Sequence, residues 1–182
     1  MKRYVAFLRG MNLGGRRITN EELCARVASL GLADVTAFLA SGNVVFGAAR
    51  GTPASLTRKL EKGLGEALGY DVPTYVRSAE QVRALAACDP FPPAQTREMG
   101  KLQVALLRAE PPAAVRRSVL ELGGPDDRLA FTEGALFWLP RGPLPESELD
   151  LAAIARALGP LSIRTKRTVD RLAAKYFVEG AT

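Results

Sequence analysis

The order in which apolar runs and helical periodicities follow one another constrains this chain most. A short apolar run, Val5 to Leu8, is cut off by Arg9-Gly10 and predicts a buried strand over 3–9. Thr19 with Glu22 three residues on forms a capping box, after which Leu23, Cys24, Val27 and Leu30 share one helical face until Gly31. Two apolar segments, 35–40 and 44–46, flank Ser41-Gly42-Asn43 and predict a hairpin. Thr52-Pro53 opens a second helix in which Leu56, Leu60, Leu64 and Leu68 recur, with Gly69 at its end. Residues 72–77 then read as a strand. The resulting order, strand-helix-strand-strand-helix-strand, is that of the split βαβ arrangement in ferredoxin-like folds.

The same order returns further on. Ser78 with Gln81 caps an extra helix over 79–87, and Asp89-Pro90-Phe91-Pro92-Pro93 makes 88–100 a linker. Beyond it come a strand at 102–107, a helix at 112–122 stopped by Gly123-Gly124, and a hairpin of 129–131 with 135–139. A helix through Leu149, Ile154 and Leu158 ends at Gly159-Pro160, followed by a strand at 161–164. Thr168 is expected to cap a last helix bearing Val169, Leu172, Ala173 and Tyr176. The expectation is an α+β protein of two ferredoxin-like (βαββαβ) halves in tandem. Each has an antiparallel sheet with helices on one face, and a C-terminal helix is added. The boundaries are 1–87, a linker at 88–100, and 101–182. The halves share no residue-level identity, so the repeat is one of structure.

Composition narrows the chemistry. The 182 residues include no histidine, which removes histidine bases and histidine metal ligands. The two cysteines, Cys24 and Cys88, are too few for a four-thiolate zinc site or a disulfide framework, and point to a reduced, cytoplasmic protein. Cys24 lies among apolar helix positions and reads as packing. Glu146, Glu148 and Asp150 read as helix-dipole partners rather than a metal site, and Phe137-Trp138 as core. No catalytic residue, metal ligand or cofactor motif is assigned. No targeting segment or membrane span is expected, because no apolar run approaches the ~18 residues a span needs. The net charge of +6 is unevenly placed. Residues 1–20 hold Lys2, Arg3, Arg9, Arg16 and Arg17 with no acid, and residues 161–182 hold Arg164, Lys166, Arg167, Arg171 and Lys175 against Asp170 and Glu179. The excess serves either as solubilising surface charge or as an anion-attracting field.

In a split βαβ unit the first two strands run parallel, so the loop leaving the first and the hairpin leaving the second emerge at one end of the sheet. That joins Arg9-Gly10-Met11-Asn12-Leu13-Gly14-Gly15 to Ser41-Gly42-Asn43. Glycine backbone N–H groups beside Arg9, Arg16 and Arg17 suit a phosphate or carboxylate. The loop lacks the Lys-Ser/Thr of a phosphate-binding loop and the Gly-x-Gly-x-x-Gly of a dinucleotide site. The candidate ligand-binding set is Arg9, Asn12, Gly14, Gly15, Arg16, Ser41 and Asn43; a turn that needs positive φ explains the same composition. Arg164, Lys166, Arg167 and Thr168 form a secondary anion-binding candidate, alternatively a solvated connector.

These segments resemble the domain-of-unknown-function family 1697 of bacterial hypothetical proteins. The Arg9–Gly15 stretch is similar to the family's opening and Ser41-Gly42-Asn43-Val44-Val45-Phe46 to its second hallmark. Asp89-Pro90-Phe91, and Thr168-Val169 followed by Leu172, fit later landmarks. The chain departs from the family in having Thr165-Lys166 after Arg164 where an Arg-Asn-Trp run is usual, and in lacking a Gly-Arg-Ser-Lys-type segment at 143–149. The resemblance implies a duplicated ferredoxin-like fold and no activity. The functional expectation is a binding module for a small anionic ligand, a nucleotide or phosphorylated metabolite, at the 9–17 and 41–43 end. The alternatives are nucleic-acid binding through the basic ends and a metal-independent enzyme with a carboxylate base such as Glu21 or Glu22.

Overall fold

A computed structural model describes residues 1–11, 17–39 and 42–178. The first apolar run becomes strand β1 (Lys2–Leu8), and helix α1 (Asn20–Ser29) follows it. Next come β2 (Ala33–Phe38), β3 (Asn43–Ala48), α2 (Pro53–Leu68), β4 (Thr74–Ser78) and α3 (Ala79–Ala87). After α4 (Pro93–Glu98) the chain continues through β5 (Gln103–Leu106), α5 (Ala113–Leu120), β6 (Asp127–Thr132) and β7 (Ala135–Pro140). It ends with α6 (Leu151–Leu158), β8 (Ser162–Thr165) and α7 (Lys166–Tyr176). The strands form two four-stranded sheets, ordered β2-β3-β1-β4 and β6-β7-β5-β8, with every pairing antiparallel. The fold class is α+β. No helix among the described residues is long and apolar enough to cross a membrane.

Residues alternate between faces along a strand, and in β1 both faces are buried, which is why its sequence is a continuous apolar run. Tyr4, Ala6 and Leu8 join Val44, Phe46 and Val76 in one core with Leu23 and Val27 of α1 and Leu56, Leu60 and Leu64 of α2. On the other face Val5, Phe7, Val45 and Tyr75 are also buried. The second sheet packs Ala105, Leu107 and Leu136 with Val119 of α5 and Ile154 of α6.

Local signals account for the element ends. Thr19 and Glu22 make the expected reciprocal capping box, and Thr52 makes another with Ser55. Gly69 closes α2 in the left-handed conformation. Ser78 and Gln81 bond reciprocally at the head of α3.

Two local expectations change. The proline-rich 88–100 stretch holds a short helix, α4, because Pro93 falls in its first turn, where its missing N–H costs nothing. The last helix starts at Lys166 rather than after Thr168, since the Thr165 hydroxyl takes the backbone N–H of Thr168 at 3.2 Å. Thr165 therefore occupies the capping position and Thr168 lies inside the helix.

The chain divides into two compact units. One is Met1–Ala84 with the chain from Leu172 onward; the other is Leu85–Arg171. The sequence boundaries of 1–87 and 101–182 differ from this mainly in where the end of α7 belongs. In the first unit Tyr176 meets Phe38 edge-on at 5.8 Å, and its carbonyl accepts from the Arg3 guanidinium.

Candidate functional site

In the first unit β3 runs antiparallel to both β1 and β2, so β1 and β2 are parallel to each other. Asn43 sits in register with Phe7 on one side and Phe38 on the other, which brings the exits of β1 and β2 to one rim. The Leu8 N–H donates to the Gly42 carbonyl at 2.7 Å, and the Arg9 N–H donates to the Pro73 carbonyl at 2.9 Å. Gly42 adopts φ +70°, and a Cβ there would stand 3.1 Å from the Leu8 oxygen and 3.3 Å from Met11 Cγ. Only glycine fits a left-handed turn pressed so closely on the chain leaving β1.

Asn12, Gly14, Gly15, Arg16 and Ser41 lie outside the described residues. Arg9 is exposed where the chain leaves β1, and Arg17 is exposed where it re-enters toward α1. Among the described residues neither has a carboxylate within ion-pair distance. Asn43 is fully buried and donates its amide N–H to the Phe38 carbonyl at 3.0 Å, so it holds the hairpin together. The Thr19 N–H donates to the Glu22 carboxylate at 2.9 Å. That backbone bond, aided by the Thr19 hydroxyl, holds the carboxyl below the usual glutamate range. Glu22 is thus engaged in closing the N-terminus of α1. Sequence reasoning left Arg17 out of its candidate set; its place between a glycine loop and a capping box was the available signal.

The secondary candidate is less open to an anion than its charge count implies. Lys166 is 8% exposed. Its ammonium donates to the Asp170 carboxylate and the Ala86 carbonyl, each at 2.7 Å, with Asp89 at 3.6 Å. Arg164 donates to the Ser162 hydroxyl and the Ile163 carbonyl, and burial pulls its guanidinium down to about 10. The Thr168 hydroxyl is paired with that of Thr165 at 2.9 Å. Arg167 alone of the four is exposed. Cys88, beside this cluster, has its thiol pushed up by burial and by Asp89, against a smaller opposing effect of Lys166. Both cysteines are free, and no group of three potential metal ligands occurs among the described residues.

The architecture, two antiparallel four-stranded sheets with a glycine-turned rim, defines an α+β protein. The family model described as a protein of unknown function (DUF1697) matches residues 1–137, and the chain belongs to that family. The match includes both N-terminal motifs and the Asp89-Pro90-Phe91 turn; Thr168-Val169 and Leu172 fall beyond it. The chain is similar in structure to the conserved bacterial protein SP0830 from Streptococcus pneumoniae. Identity is 24% over 96% of this chain and 97% of that one, with a TM-score of 0.70. No curated protein matches the chain.

Proposed function

We propose that this cytoplasmic bacterial protein consists of two ferredoxin-like βαββαβ halves, and that the first binds a small anionic ligand, a nucleotide or phosphorylated metabolite, at the rim formed by 9–17 and 41–43. The observation that supports the reading is the seating of Gly42 against Leu8 and Met11, which brings the chain leaving β1 beside the turn that enters β3. The sheet orders support the fold assignment, since each places its first strand in the centre beside its last. Arg9 and Arg17 supply exposed positive charge; Arg16, Gly14, Gly15, Asn12 and Ser41 are the remaining candidates of the loop and hairpin. Asn43 contributes by fixing the hairpin. The free cysteines accord with a reducing compartment.

A small ligand is favoured over nucleic acid because no aromatic side chain among the described residues is exposed as a stacking platform. Binding is favoured over catalysis because Glu22, one of the two acids at the head of α1, is engaged by Thr19. A thermal-shift screen of nucleotides, phosphorylated metabolites and short oligonucleotides tests the proposal, since a ligand of the native state raises the melting temperature. The expected result is stabilisation by a small anion that Arg9→Ala abolishes and added salt weakens only modestly. Equal stabilisation of wild type and Arg9→Ala overturns the site. A steep salt dependence with oligonucleotides alone selects the nucleic-acid reading.

A further inference from the structure

The opposite end of the same sheet carries a second feature, roughly 16 Å along β1 from the glycine rim at ~3.3 Å per residue. Arg3 and Gly47 are register partners there, and β2 is irregular between Ala33 and Thr36, with Asp34 at φ +48°. A cleft of about 450 Å³ opens at this end, within the ~300–1,000 Å³ of small-molecule sites. Arg3 and Arg83 supply its positive charge and Asp34 a single acid; Met1, Ala79, Phe177 and Val178 supply apolar wall. The missing side chain at Gly47 matters, because the Met1 side chain lies over it at the distance a Cβ would need.

The two arginines are under-used. Arg3 donates to the Tyr176 carbonyl and Arg83 to the Phe177 carbonyl, both at 3.4 Å, beyond the usual ~2.7–3.2 Å. A guanidinium carries about five N–H donors. Among the described residues no carboxylate, Asp34 included, stands within ion-pair distance of either. Arg83 is part-buried and lines the cleft. Planar donor forks of this kind match carboxylate and phosphate oxygens bidentately.

We infer that this cleft is a binding site for a small organic oxyanion, a carboxylate or phosphate monoester on an apolar body, with Arg3 and Arg83 holding the anion and Met1, Val178 and Ala79 the body. It is independent of the 9–17 rim and needs no residue of it.

Phenyl phosphate is the probe, titrated into the full chain and followed by amide chemical shifts. The expected result is saturable shifts at Arg3, Gly47, Arg83 and Phe177 with Kd on the order of 1 mM, fitting so small a ligand. The double variant Arg3→Gln, Arg83→Gln should weaken binding about tenfold or more, while Arg9→Ala leaves it unchanged. An unchanged Kd in a folded double variant overturns the inference, as do shifts confined to Leu8, Met11 and Gly42. Should the double variant unfold on losing its hold on α7, Ala79→Leu decides, since it fills the cleft and spares both arginines. Lost shifts support the site and retained affinity overturns it.

Discussion

Asp127 is the carboxylate with the most consequence for a single side chain. It is 8% exposed, accepts from the Trp138 indole N–H at 2.6 Å and from the Ser147 hydroxyl at 2.7 Å, and so ties the segment after β7 to the sheet. Asp127→Ala leaves a buried indole N–H without an acceptor, which costs about 1–3 kcal/mol. Asp127→Asn keeps one acceptor oxygen and should lose less. Urea unfolding followed by fluorescence measures both, and the single tryptophan makes the signal local to this contact. At this scale the sequence was legible for burial and poorly legible for partners. Phe137-Trp138 reads as core and is core. That Asn43 turns its amide inward, or that Asp89 joins Asp170 in neutralising Lys166, depends on residues brought together only by folding, whereas the i,i+4 spacing of Lys166 and Asp170 is visible in the string. Arg83 shares this difficulty: on a helix face it reads as surface charge, and only the return of the chain at Phe177 places it in a cleft.

Elements were legible where a short-range hydrogen bond fixes their ends. Thr19 with Glu22, and Ser78 with Gln81, each satisfy donors that a helix start otherwise orphans, and their three-residue spacing is visible in the string. The helix at 93–98 was not legible, because Pro92-Pro93 signals a break and a first turn equally well. At the start of α7 two threonines stand three apart, and a pattern alone does not choose between them. The structure gives the cap to Thr165, whose hydroxyl accepts from the Thr168 N–H. Thr165→Ala should therefore cost about 1 kcal/mol. Thr168→Ala loses only a hydroxyl-to-hydroxyl contact and should cost less. Thermal melts of the two variants, compared side by side, check the ranking; equal losses would return the cap to Thr168.

For the whole molecule, the order of elements was legible because each apolar run is bounded by turn residues, whereas the allocation of the last helix was not. A string places Leu172 and Phe177 with the half they follow, but packing places them with the first unit. Phe177 is 2% exposed, its carbonyl accepts from Arg83, and the preceding Tyr176 meets Phe38 while Lys175 lies over the rings of Phe38 and Tyr176. Phe177→Ala removes a buried aromatic and should cost about 3–5 kcal/mol. Where that loss is felt distinguishes the two allocations. If the end of α7 belongs to the first unit, amide exchange accelerates in β1 and β2 before it does in β5 and β7, because a cooperative unit opens together when its own packing is weakened. Faster exchange first in β5 and β7 would restore the division of the chain at 88–100. The outcome also bears on the cleft: Arg3 and Arg83 reach the carbonyls of Tyr176 and Phe177 through long hydrogen bonds, so an anion held by the same two arginines is sensitive to how firmly this last turn is packed.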